Sequence, residues 1–181
     1  MLVQQGKEVL SLRRLSLPVL DRRRLAEFPA GEEIILEGII YTARDRVHRE
    51  VSEGSGRWPF SLQGNAIYYC GPTPALKGFP LGSCGPTTSS RMDAWTPELY
   101  RNGVAVTIGK GPRNRAVISA IAETGGLYLA AYGGCGALYA SKVKSAEVAG
   151  FEDYGPQAVY KVTVEDFPAL VAVDAGGNSI Y

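Results

Sequence analysis

One pattern recurs along this chain and restricts its fold more than any other feature. An apolar run of strand length ends in a glycine-bearing loop, and a segment of helical spacing follows. Glu33 to Thr42 (EIILEGIIYT) is apolar and β-branched, and predicts a strand. A short polar helix is expected over Ala43 to Glu53, closed by a loop at Gly54-Ser55-Gly56. Asn65 to Cys70 reads as a buried strand running straight into Gly71-Pro72-Thr73-Pro74. Val104 to Ile108 feeds Gly109-Lys110-Gly111-Pro112, and Arg115 to Ala122 has helical spacing. Leu127 to Ala131 then leads into Gly133-Gly134-Cys135-Gly136. Strands alternating with helices in this way predict an α/β fold. In such folds ligands gather where the strands end and the loops begin.

The flanks are read more lightly. Leu12 to Leu17 alternates and predicts an edge strand ending at Pro18, and Val19 to Phe28 has helical spacing. The arginines Arg22, Arg23 and Arg24 within it read as a solvated face. The tail holds strand-like runs at Ala146 to Phe151, Ala158 to Val164 and Ala169 to Val173, then a hairpin-like turn over Asp174 to Asn178. No linker interrupts residues 12–181, which are expected to form one domain behind a flexible extension, residues 1–11. A chain of 181 residues is long enough for one core that buries roughly 70% of the unfolded surface.

With a net charge of +1, the chain offers no field that would recruit nucleic acid or a membrane. No run of eighteen apolar residues exists, and Met1 to Leu10 lack the apolar centre of a signal peptide. Cys70, Cys84 and Cys135 show no C-x-x-C spacing, which argues against a disulfide framework or a zinc site. A cytoplasmic protein is expected.

The densest chemistry lies in Gly85-Pro-Thr-Thr-Ser-Ser-Arg-Met-Asp93. A Gly-Pro turn fixes the backbone, and the hydroxyls and N–H groups after it can line an anion pocket. If Pro86 to Ser89 open a helix, Thr87 and Arg91 share one face, and Arg91 can grip a carboxylate or phosphate with both prongs. An N-cap turn that merely solvates a helix end is the alternative at this point. Two more loops carry cations, Arg44 after the first long strand and Lys110 between two glycines. Arg44 could instead pair with the adjacent Asp45. His48 is the only histidine, four residues beyond Arg44, and a structural role suits it as well as a catalytic one. Asp93 suits a salt bridge better than acid catalysis. The phosphate-loop pattern G-x-x-x-x-G-K-[ST] is absent.

Four pieces in order carry a family resemblance: Gly38-Ile-Ile-Tyr-Thr-Ala-Arg-Asp45 with His48, Tyr69-Cys-Gly-Pro-Thr73, the Gly85 motif, and Gly109-Lys-Gly111. Together with Val164-Glu-Asp-Phe-Pro168 and Val173-Asp-Ala-Gly-Gly-Asn178, they resemble the β part of class I fumarases and L(+)-tartrate dehydratases, over residues 12–181. The resemblance implies a swivelling β/β/α domain with a mixed sheet, like the C-terminal domain of single-chain class I fumarases. It implies a hydro-lyase acting on a four-carbon dicarboxylate, fumarate and L-malate or tartrate. A [4Fe-4S] cluster would be bound by a separate α subunit, in a dimer or α2β2 assembly, and this chain would supply no metal ligand.

By the same resemblance Arg44, Arg91 and Lys110 would bind the substrate carboxylates and Thr87 would contact substrate and transfer the proton; the backbone N–H groups of Gly85 and Thr88 are further candidate donors to substrate. A threonine hydroxyl is a poor base alone, so nearby cations would have to stabilise its alkoxide. The three cysteines are expected to be small packed residues, not cluster ligands. A non-catalytic module for an organic anion or phosphate, or a scaffold subunit, would use the same loops without turnover.

Overall fold

The computed structural model describes residues 12–54 and 56–181. The expected extension at residues 1–11, like Ser55, lies outside the described residues. Four strands set the frame: β2 (Glu33–Thr42), β3 (Ala66–Tyr68), β4 (Val106–Gly109) and β5 (Leu127–Ala130). They pair side by side in that order, all parallel. Every residue of β3, β4 and β5 is buried, which is why these runs are continuously apolar and do not alternate.

A long strand, β7 (Val159–Val173), runs antiparallel to β2 on one side and to β5 on the other. The sheet therefore closes on itself, and β2, β3, β4, β5 and β7 form a ring without a free edge. Strand β1 (Arg13–Leu17) adds parallel to β2, and β6 (Val143–Gly150) adds antiparallel to β7. The two long strands each serve two neighbours along one edge. β2 pairs with β1 at Ile34–Gly38 and with β3 at Tyr41 and Thr42. β7 pairs with β6 over its first half and with β5 near its end. The sheet is mixed and the class α/β, as expected; the closure is new information.

Helices α1 (Asp45–Glu53), α2 (Thr96–Arg101), α3 (Arg115–Thr124) and α4 (Gly136–Ser141) occupy the connections. The Asn114 side chain accepts from Val117 N at 2.9 Å to cap α3, which buries Val117, Ala120 and Ile121 against Tyr100 and Tyr128. The chief core gathers Tyr68, Tyr139 and Phe167 inside the ring, their centroids 4.5–6.2 Å apart.

Four expectations change. The helix expected over Val19 to Phe28 is only a 3₁₀ turn at Arg22–Glu27 that buries a single residue, Leu25. Arg22 is not part of a solvated face, since its guanidinium donates to the carbonyls of Thr124 and Val104. The runs Ala158 to Val164 and Ala169 to Val173 are one strand. Glu165, Asp166 and Pro168 signal a break, yet Asp166 takes φ 53°, reaches Arg14 at 2.6 Å, and the pairing continues with Pro168 opposite Ile35. Finally, Pro86 does not open a helix, and only Ser89–Met92 makes a 3₁₀ turn.

Candidate active site

Because β2 to β5 are parallel, their C-terminal ends share one rim, and the loops bearing Arg44, Gly71, Lys110 and Gly133 all leave from it. The Gly85 motif is laced onto this rim by its backbone. Thr87 N donates to Tyr69 O at 2.6 Å, Lys110 N to Thr87 O at 3.3 Å, and Ser89 N to Lys110 O at 2.9 Å. Thr87 and Thr88 are thus an extended rung, with Thr88 paired in parallel to Lys110. Gly109 makes the approach possible, since a Cβ there would overlap Ser89 Oγ. Thr87 and Lys110 meet through the ladder, where the sequence suggested a helix face shared with Arg91.

Beneath the rim lies a polar network that sequence reasoning missed. Arg113, with no exposed side-chain surface, donates to Asp93 Oδ1 at 2.7 Å, Thr96 Oγ1 at 2.8 Å and Thr107 Oγ1 at 3.3 Å. Its guanidinium also lies 4.9 Å from the Tyr128 ring and 5.3 Å from that of Tyr69. Burial opposes its charge, but the phenols of Tyr69 and Tyr100 and the Asp93 carboxylate outweigh this and hold its pKa above the ordinary value.

Donor counting fixes the proton directions. Thr96 Oγ1 donates to Met92 O, so Tyr69 OH must donate to Thr96. Tyr128 OH donates to Gly111 O, so Ser89 Oγ must donate to Tyr128. Asp93 is the salt-bridge residue the sequence suggested, with Oδ2 accepting from Asn114 N at 2.8 Å. The only sequence cue to Arg113 is its place between Pro112 and the cap Asn114, next to the glycine–lysine loop.

The cations form the second half of the site. Arg44 precedes α1 in extended conformation, φ −129°, and its side chain crosses Gly71. A Cβ on Gly71 would lie 3.1 Å from Arg44 Nη1 and 3.0 Å from Pro156 O, so glycine leaves the guanidinium room. Arg91 Nη2 donates to Asp45 Oδ2 at 2.9 Å, while Arg44 Nε stands 3.7 Å from Asp45 Oδ1. One carboxylate therefore ties together two arginines that are 47 residues apart in the chain.

The Lys110 side chain is half-buried beside Gly133 and has no ion-pair partner among the described residues. Thr87 is half-buried and Thr88 exposed. Neither hydroxyl makes a hydrogen bond among the described residues, and the same holds for the N–H groups of Gly85 and Thr88. Gly85 itself packs against Gly136 at the start of α4.

His48 is turned into the protein. Its ring is fully buried, stacked on Trp95 at 5.8 Å and edge-on to Trp58 and Tyr69. Burial, with the nearby Arg113 charge acting the same way against Asp45, pulls its pKa down to about 3. Cys70 and Cys84 are buried together in the main core, where the Cys84 sulfur and burial push the Cys70 thiol up; Cys135 is half-buried. Among the described residues no three His, Cys, Asp or Glu side chains converge as metal ligands. No described helix is long and apolar enough to cross a membrane.

The geometry can be set beside known proteins. A family model for the fumarase C-terminus matches residues 3–181, and the chain belongs to that family. It is 36% identical over 166 residues to fumarate hydratase 2 of Leishmania major, covering 88% of this chain and 29% of that protein. It is 35% identical over 164 residues to the aerobic class I fumarate hydratase of Escherichia coli K12, covering 87% and 30% respectively. A Methanocaldococcus jannaschii protein provisionally named L(+)-tartrate dehydratase subunit beta is 35% identical over 171 residues, covering 90% of this chain and 88% of its own length. The chain thus spans less than a third of these fumarate hydratases and nearly all of the tartrate dehydratase subunit.

Proposed function

We propose that this chain is the substrate-gripping subunit of a hydro-lyase that interconverts fumarate and L-malate, completed by a separate α subunit bearing a [4Fe-4S] cluster. What supports this reading is that the segments bearing Arg44, Thr87, Thr88 and Lys110 meet the rim where four parallel strands end, with Arg91 tied to Asp45 beside Arg44. A dianionic diacid held away from water needs cations to offset its charge. Arg44 and Arg91 would take one or both carboxylates with the guanidinium edges that Asp45 leaves open, and Lys110 would add a point charge. The N–H groups of Gly85 and Thr88 would add neutral donors.

Thr87 would move the proton at its Oγ. The backbone bonds to Tyr69 and Lys110 fix its Cα, so the hydroxyl is held at a set height above the rim. Lys110 and Arg91 would stabilise an alkoxide electrostatically. The cluster, when bound by the α subunit, would supply Lewis-acid chemistry to the substrate's hydroxyl group. The heteromer would be cytoplasmic.

L(+)-tartrate dehydration is the second reading, favoured by the near full-length match to the subunit of that name. Anaerobic co-expression with the candidate α chain, followed by the ultraviolet absorbance of fumarate and by tartrate consumption, separates the two. Activity is expected only in the pair. Thr87→Ala should lower kcat by roughly a hundredfold or more, the usual range for a lost proton-transfer group, while Thr87→Ser keeps most of it. An active Thr87→Ala pair would refute the proton role. A chain that binds diacids in a pair without turnover would identify an anion-binding module.

A further inference from the structure

The same rim carries a residue whose position exceeds the sequence reading of it. Asp45 begins α1 and could be taken as a helix-end acid that favours the positive end of the dipole. Its contacts say more. Oδ2 holds Arg91 Nη2 at 2.9 Å, and Oδ1 is buried 3.7 Å from Arg44 Nε. Among the described residues the buried side-chain polar atoms lacking a partner are Arg44 Nε, Asp45 Oδ1, both His48 ring nitrogens and Gln157 Oε1. Three of those residues fall within the first turn of α1 and its cap. Gln157 follows Pro156, whose carbonyl flanks Gly71 under the Arg44 guanidinium. Unmet polar capacity is thus concentrated around one carboxylate and the arginine next to it.

We infer that Asp45 is a positioning residue that sets both the aim and the charge of the diacid cradle; the inference rests on the substrate reading above. Two guanidiniums this close repel each other, and Arg91, with about half of its side chain exposed, would otherwise swing into solvent. Asp45 accepts from one edge of Arg91, faces Arg44 Nε at 3.7 Å, and leaves the opposite edges of both for a ligand. It also matches charge. Arg44, Arg91 and Lys110 against one carboxylate leave two positive charges, the complement of a dicarboxylate. Without Asp45 the cradle would carry three and its arginines would splay.

Asp45→Asn keeps a good helix-start residue and removes the charge; Asp45→Glu keeps the charge on a longer arm. In the assembled enzyme, Asp45→Asn is expected to raise the KM for diacid at least tenfold with a smaller fall in kcat, and Asp45→Glu to recover part of the loss. Calorimetric titration of the full chain alone with fumarate, L-malate and L(+)-tartrate should show the same order of affinities. Circular dichroism checks folding, and if the asparagine variant does not fold, Asp45→Ser replaces it in both measurements. A KM and diacid affinity within twofold of wild type in the charge-neutral variant would overturn the inference. So would a kcat loss with unchanged KM. An inactive wild-type pair would instead sink the hydro-lyase reading, while diacid titration of the chain would still judge Asp45.

Discussion

Arg113 on one hand and Arg44 with Arg91 on the other live under opposite conditions in this molecule. Arg113 is sealed from solvent, and its guanidinium donates to Asp93, Thr96 and Thr107 with aromatic rings on either side. Arg44 and Arg91 share a single carboxylate at the rim, one at 3.7 Å and the other through one nitrogen. A buried cation must be paired and hydrogen-bonded or the fold loses stability. A cation kept for a ligand must hold donors in reserve. On the proposed reading, the contrast separates a scaffold arginine from arginines kept for a ligand. Arg113 with Asp93 pins the Gly85 motif to the loop after β4, and that rigid base lets the rim arginines stay underused.

The comparison breaks most visibly through Arg113→Met. Removing one partner of a buried pair leaves Asp93 uncompensated and should cost about 3–5 kcal/mol. In a domain of this size that lowers the melting temperature by roughly 6–20 °C, read by thermal unfolding. A variant that melts like wild type would deny Arg113 its scaffold role. Arg91→Lys tests the other side. It should leave the melting temperature nearly unchanged but lower kcat/KM roughly ten- to a hundredfold, the worth of a lost charge-assisted hydrogen bond. Unchanged kinetics would argue that Arg91 does not grip the diacid with a planar fork.

These contrasts also show where sequence was informative. The glycine-bearing loops after Tyr68, Ile108 and Ala130 could be read directly, because apolar runs ending in glycine are local signals. Parallel pairing then forces their ends onto one rim. Thr87, Arg91 and Lys110 stood out because each lies in a glycine-bearing segment, and Arg44 because a cation directly follows a long apolar strand. The closed ring was hidden, because it depends on β7 finding both β2 and β5, and on Asp166 tolerating a left-handed backbone within the strand. Arg113 was hidden because its acid lies 20 residues away, and nothing local marks a long-range buried pair. The Thr87–Lys110 rung is not legible locally, since Pro-Thr-Thr-Ser suits a helix start as well as an extended segment. Tertiary pairing with Lys110 decided between them.

The smallest expected effect, read over about one pH unit below neutral, concerns His48, whose pKa burial and Arg113 lower and Asp45 raises. Its folded pKa near 3 lies below the ordinary value of 6.5, so the unfolded chain binds a proton that the folded chain refuses. Stability is therefore full above about pH 6.5 and falls as the pH drops toward 3, by at most about 1.4 kcal/mol per unit. His48→Phe keeps a ring for Trp95 to stack on and removes the proton. Melting temperatures between neutral and mildly acidic pH should fall less steeply in this variant than in wild type. Identical slopes would mean that the buried imidazole opens to water and protonates in place. The first turn of α1 would then yield readily, and a rim built on that turn could not hold Arg44 and Asp45 in a fixed relation.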